Sequence, residues 1–139
     1  MRQTVLFLCP HGAAKSVIAA AYFQRLVEER GLNMQATAAG TEPSPEVSPA
    51  IVALLHAEGI DVAHYQPRAV TKDDLELAVR VVSLGCSVND LPVVPTMLEH
   101  WDDVPLPSLN LEIARDAIRS HVERLVRELA QPFTKKSGN

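Results

Sequence analysis

The residues best suited to chemistry are Cys9, Lys15 and Ser16, separated by the short run Pro10, His11, Gly12, Ala13 and Ala14. A thiol reacts as its thiolate. A helix N-terminus, a nearby cation and a hydroxyl donor each stabilise that form. Lys15 and Ser16 supply the last two if a helix opens there. The intervening residues are small enough for a tight loop whose N–H groups face an anion, so Cys9 to Ser16 reads as a nucleophile beside an oxyanion cradle. A cation at the positive end of a helix dipole is unfavourable by itself, which suits Lys15 to an anion opposite it. His11 reads either as a modifier of the Cys9 charge or ligand contact, or as an exposed loop histidine. Cys86 is a second thiol, either a redox partner of Cys9 or a packed strand-end residue.

Positioning these groups requires a strand before Cys9 and a helix after it. Arg2 to Leu8 holds the apolar run Val5-Leu6-Phe7-Leu8 of a strand buried on both faces. Lys15 to Arg30 has helical composition, with Val17, Ala20, Ala21, Leu26 and Val27 at helical spacings and Gly31 as a left-handed stop. Leu32 to Ala39 is a second strand closed by Gly40-Thr41-Glu42-Pro43. Ser48 caps a helix with Pro49 at its first position, ending near Ala57. Ile60 to Val70 is irregular, and Thr71 is a cap followed by Asp73 and Asp74 in a first turn.

Ala78 to Leu84 reads as a third strand ending at Gly85-Cys86, Ser87 to Pro95 as a loop, and Met97 to Trp101 as a short fourth strand. After irregular Asp102 to Pro107, Ser108 or Asn110 caps a long helix to about Leu129. Ile113, Ala117, Val122, Leu125, Val126 and Leu129 are available for its apolar face, and Arg115, Arg119, Glu123 and Arg127 for a solvated face with i,i+4 pairs. His100 and Trp101 are expected to pack near the last strand. Strands alternating with helices predict an α/β domain with a parallel sheet covered on both sides. Neighbouring first and third strands would bring Cys9 and Cys86 to one sheet edge.

Composition narrows the partners. The 139 residues fit one domain over 1–130 with a frayed, flexible tail at 131–139. A net charge of −4 without a basic stripe argues against nucleic acid, and no apolar run reaches membrane-spanning length. Nor does the N-terminus carry a signal pattern, so a cytoplasmic location with reduced thiols is expected. Two distant cysteines make neither a disulfide framework nor a metal site with ligand spacing.

With this loop near the N-terminus, the chain resembles the low-molecular-weight protein tyrosine phosphatase and thioredoxin-type arsenate reductase superfamily. Ala39-Gly40-Thr41-Glu42-Pro43, Val47-Ser48-Pro49 and Glu58-Gly59-Ile60-Asp61 are similar to the arsenate reductase branch in particular, and Val81 to Cys86 and Glu99-His100-Trp101 sit where that branch has its later strands. The resemblance implies a four-stranded parallel sheet flanked by helices on both faces. It also implies a Cys9 nucleophile attacking a phosphate, sulfate or arsenate-like oxyanion, with no bound cofactor and an external thiol as reductant if the protein reduces arsenate.

Gly12 stands where the family often has Asn, and both residues tolerate a left-handed backbone. Three departures carry more weight. Lys15 replaces the family's loop arginine and cannot grip two oxygens with a planar fork. Cys86 matches the resolving cysteine, but Leu91, Pro92 and Val93 stand where a further cysteine is expected. The Asp-Pro pair of the family's general acid is altered to Trp101-Asp102-Asp103-Val104-Pro105, leaving Asp103 as the candidate acid. Three readings follow: a phosphatase or arsenate reductase-like enzyme, a catalytically weakened oxyanion-binding or regulatory module, and a thiol redox protein using Cys9 and Cys86.

Overall fold

A computed structural model describes residues 2–130; the tail expected at 131–139 lies outside them. Strands β1 (Gln3–Leu8), β2 (Met34–Ala39), β3 (Arg80–Ser83) and β4 (Leu98–His100) form one parallel sheet in the order β2-β1-β3-β4. Helices α1 (Lys15–Glu29), α2 (Pro49–Ala57), α3 (Lys72–Leu77) and α4 (Leu111–Ala130) connect and cover them. The strands are one to three residues shorter than the sequence predicts, losing Arg2 from β1 and end residues from the other three where the parallel pairing stops. The loop expected at Ser87 to Pro95 contains a 3-10 turn at Val88–Asp90.

The central strand explains the apolar run before Cys9. Side chains alternate across a strand, so Val5 and Phe7 enter one core cluster while Leu6 and Leu8 enter another, all fully buried. The two faces are unequal. Helices α1, α2 and α4 share the first cluster, where Phe7 packs against Phe23 and Trp101. Only α3, through Leu75, and flanking loop residues cover the second. Along α4 the buried residues are Ala114, Ile118, Val122, Leu125 and Val126, one stripe at helical spacing packed on α1. Ile113, expected on that stripe, is instead 56% exposed because it lies off the α1-facing side.

Caps settle the element boundaries. Gly31 adopts φ +66 and stops α1 as expected. Thr71 and Asp74 form a reciprocal capping box at α3. At α4 Asn110, not Ser108, accepts the Ile113 amide at 3.0 Å. Ser48 precedes α2 without a side-chain cap bond; its amide donates to the Ala13 carbonyl at 3.2 Å.

The outer edge of β2 is covered by side chains. Gln24 of α1 accepts the Ala36 amide at 2.9 Å, and the Tyr65 hydroxyl donates to the Ala38 carbonyl at 2.8 Å. The basic face of α4 is tied down rather than solvated through i,i+4 pairs alone. Arg115 and Arg119 reach Glu58 beyond the end of α2, and Arg119 also donates to the Tyr22 hydroxyl. This follows from α4 packing on α1, which brings both arginines beside the Tyr22–Glu58 pair. Among the described residues no helix is long and apolar enough to cross a membrane.

Candidate active site

The chain leaves β1 toward β2 on one side and later returns to β3 on the other. The carboxyl end of β1 is therefore the switch point at which open α/β sheets form a ligand crevice. Cys9 sits there, 4% exposed. The Ser16 hydroxyl lies 3.1 Å from its sulfur and the Ser16 amide donates to it at 3.4 Å. A thiolate at this position gains two donors and the positive end of α1.

The loop is held open by its own carbonyls. The Cys9 carbonyl accepts the Gly12 amide at 3.2 Å, the Pro10 carbonyl accepts Glu42, the His11 carbonyl accepts Ser44, and the Ala13 carbonyl accepts Ser48. With the Pro10, His11 and Ala13 oxygens drawn toward the 42–48 segment, the amides of His11, Ala13, Ala14 and Lys15 donate to no acceptor among the described residues. Such free donors suit an oxyanion. Gly12 has φ +60, and a Cβ on Gly40 would come within 2.7 Å of the Gly12 nitrogen, so the loop and the end of β2 interlock through two glycines.

A cavity of about 500 Å³ opens beside Cys9. Its lining draws on the starts of three helices: Ala14 and Lys15 at α1, Ser48, Ala50 and Ile51 at α2, and Ser108 and Leu111 at α4. Parallel strands oblige the following helices to begin at this edge, so the positive ends of α1, α2 and α4 border one space. The contributions of α2 and α4 were not foreseen from sequence, although Pro49 and Asn110 mark both helix starts.

Lys15, His11 and Cys9 all line the cavity with Pro10. The Lys15 ammonium lies 3.5 Å from the Val104 carbonyl, at the long end of hydrogen bonding, and 3.8 Å from where a Cβ on Gly85 would stand. It thus bridges toward both loops flanking the site. The His11 ring contacts the Glu42 carbonyl through Nδ1 at 3.1 Å.

Asp103 and Cys86 are not brought into this lining. Asp103 is paired with His121, Nε2 to Oδ1 at 2.9 Å, and His121 stacks on Trp101 with ring centroids 4.6 Å apart. Arg124 approaches the His121 Nδ1 at 3.3 Å; since Arg only donates, Nδ1 accepts and Nε2 carries the proton toward Asp103. That bond holds the Asp103 carboxyl below its ordinary range, against a small opposing effect of burial. Paired with His121 and outside the lining, Asp103 is not placed to act as the acid in this arrangement. Trp101 does pack near β4 as expected, 1% exposed, with its Nε1 donating to Glu99 at 2.7 Å.

Cys86 lies at the same sheet edge as Cys9, as adjacent β1 and β3 require, but in the core cluster of the opposite face. Burial pushes its thiol up to about 11, partly offset by hydrogen bonding with Thr41 and reinforced by the charge of Cys9. Both cysteines are free. Among the described residues no group of three or more His, Cys, Asp and Glu side chains could hold a metal ion.

Comparison with known proteins places these features. A family model described as low molecular weight phosphotyrosine protein phosphatase matches residues 4–91. A "Putative arsenate reductase" of Halobacterium salinarum is 29% identical over 129 residues, spanning 91% of this chain and 90% of that protein. Among solved structures, YfkJ from Bacillus subtilis superimposes with a TM-score of 0.84 at 21% identity, covering 96% of this chain and 98% of that one. An arsenate reductase in its phosphate-binding state superimposes with a TM-score of 0.75 at 26% identity, covering 91% and 98%.

Proposed function

This chain belongs to the low molecular weight phosphotyrosine protein phosphatase family, and on that premise we propose that Cys9 attacks the central atom of a bound tetrahedral oxyanion, a phosphate monoester or arsenate, to form a thiol adduct. The observation that carries the reading is the Cys9–Ser16 pair at 3.1 Å, set below a loop whose amides from His11 and Ala13 to Lys15 are free to hold oxygens. Ser16 donates to the thiolate before attack and again as the sulfur leaves. Pro10, His11, Gly12, Ala13 and Ala14 form the cradle, with the Gly12–Gly40 contact setting its curvature. Lys15 supplies one positive charge to the oxyanion. The chemistry needs no bound cofactor. Arsenate as a substrate draws support from the 29% identical Halobacterium salinarum protein.

Turnover of p-nitrophenyl phosphate and of arsenate by the native protein and by Cys9→Ser tests the proposal. Activity in the native protein that vanishes in the variant is expected. Equal activity of the two would refute it. A second reading, an oxyanion-binding module with weakened chemistry, is favoured by the Lys15 ammonium standing at the Val104 carbonyl. The redox reading is less well supported, because Cys86 is buried on the other face with its thiol raised to about 11.

A further inference from the structure

Asp103 is engaged by His121 and does not line the cavity beside Cys9, so the proposed Cys9 reaction needs its proton donor from the lining itself. Of the side chains lining the cavity, Cys9, His11 and Lys15 alone can titrate. Cys9 is the nucleophile and Lys15 is the cation. We propose that His11 is the catalytic acid and base of this site, acting through Nε2. The proposal rests on Cys9 being the nucleophile.

The geometry prepares the ring for that task. A carbonyl oxygen only accepts, so the 3.1 Å contact with Glu42 requires a proton on Nδ1. Nε2 is then the one nitrogen that gains and loses a proton, while the anchored Nδ1 limits ring rotation. The main chain on either side is also fixed: the Pro10 carbonyl accepts Glu42 at 2.7 Å and the His11 carbonyl accepts Ser44 at 2.9 Å. The ring is exposed, so it exchanges protons with solvent between turnovers. The ionisable groups beside it are Cys9, just past the end of β1, Lys15 on α1, and Glu42, whose carbonyl meets Nδ1 from the segment after β2. The α2 wall offers Ser48, Ala50 and Ile51, the α4 side offers Leu106, Pro107, Ser108 and Leu111, and the β3 end offers Leu84 and Gly85, none of which titrates.

In the first step the sulfur–phosphorus bond forms and the phosphorus–oxygen bond to the leaving group breaks. The Nε2 proton passes to that oxygen, which departs as an alcohol or phenol, or as water from arsenate. With a phosphate ester, water then attacks the adduct, neutral Nε2 takes its proton, the sulfur leaves as thiolate, and phosphate and the imidazolium are restored.

The test compares kcat/KM for phenyl phosphate, whose phenolate needs a proton, with that for p-nitrophenyl phosphate, whose leaving group needs little help. In His11→Gln the value should fall about 100-fold on phenyl phosphate and several-fold less on p-nitrophenyl phosphate. The alkaline limb of the phenyl phosphate pH profile should be lost, and added imidazole should restore part of the rate. Equal losses on both substrates with an unchanged pH profile would overturn the proposal. So would Asp103→Asn producing the leaving-group dependence while His11→Gln does not. Cys9→Ser measured alongside separates the two ideas: an inactive Cys9→Ser with a fully active His11→Gln refutes only the role of His11, whereas an active Cys9→Ser removes the nucleophile.

Discussion

Replacing Gly40 with alanine tests how the end of β2 shapes the oxyanion loop. The added Cβ would stand 2.7 Å from the Gly12 nitrogen, 2.8 Å from the Pro10 oxygen and 2.9 Å from the His11 carbonyl carbon. All three are backbone atoms of the loop, so no side-chain rotation relieves the clash. Restoring ordinary contacts of about 3.4 Å needs a displacement of roughly 0.5–0.7 Å, and overpacking of this kind costs about 1–3 kcal/mol. A midpoint loss corresponds to about 4 °C per kcal/mol for a chain of this size. Misplacement approaching 1 Å can cost about 100-fold in rate, so a fall of tenfold or more in kcat/KM is expected. Gly59→Ala is the control. Its φ of +81 imposes a left-handed penalty of about 1–2 kcal/mol, yet nothing lies within 4 Å of the new carbon. Thermal melts and aryl phosphate turnover of both variants decide the matter. Native turnover in Gly40→Ala, or equal turnover loss in Gly59→Ala, would refute the interlock.

Lys15→Arg restores a planar fork beside the cavity. One added charge-assisted hydrogen bond to the oxyanion should tighten phosphate binding about tenfold, read by competitive inhibition, and an unchanged inhibition constant would show that the cation stays with the Val104 carbonyl. Because the Cys86 thiol is raised to about 11, only about one molecule in 10⁴ is a thiolate at pH 7. Brief mild peroxide should therefore leave no Cys9–Cys86 disulfide by mass spectrometry. Burial opposes the charge of Glu99, but bonds from Trp101, Arg124 and Arg80 outweigh it and hold its carboxyl below the ordinary range. Its folded value being depressed, the stabilisation is complete above the ordinary glutamate range and fades as pH falls through the folded value. Glu99→Gln should flatten acid unfolding in that window, followed by the fluorescence of Trp101; an unaltered acid limb would contradict the sign.

Local signals in the sequence carried much of the fold. Val5 to Leu8 marked a doubly buried strand, Gly31 a helix stop and Thr71 a cap, each through interactions within a few residues. The nearness of the Cys9 thiol to Ser16 was legible for the same reason, since the two are close in the chain. Pairings across long separations were not. Asp103 is claimed by His121, Lys15 meets Val104, and Arg115 and Arg119 meet Glu58, all through tertiary packing of helices and of the loop before α4 that no spacing encodes. The Gly40 contact was likewise hidden, because a glycine closing a strand reads as a turn residue until the opposing backbone is in place.

The sealed margin of β2 bears on how a substrate can approach. An unpaired strand edge is a template on which an extended peptide or a second sheet can grow. Gln24 occupies the Ala36 amide and Tyr65 the Ala38 carbonyl, so a joining strand must first break two hydrogen bonds, each worth about 1 kcal/mol. At the opposite margin β4 offers three residues, too short a template for durable pairing. A protein partner is thus steered away from strand addition along this margin. The same closure guards against edge-to-edge aggregation when the protein is concentrated.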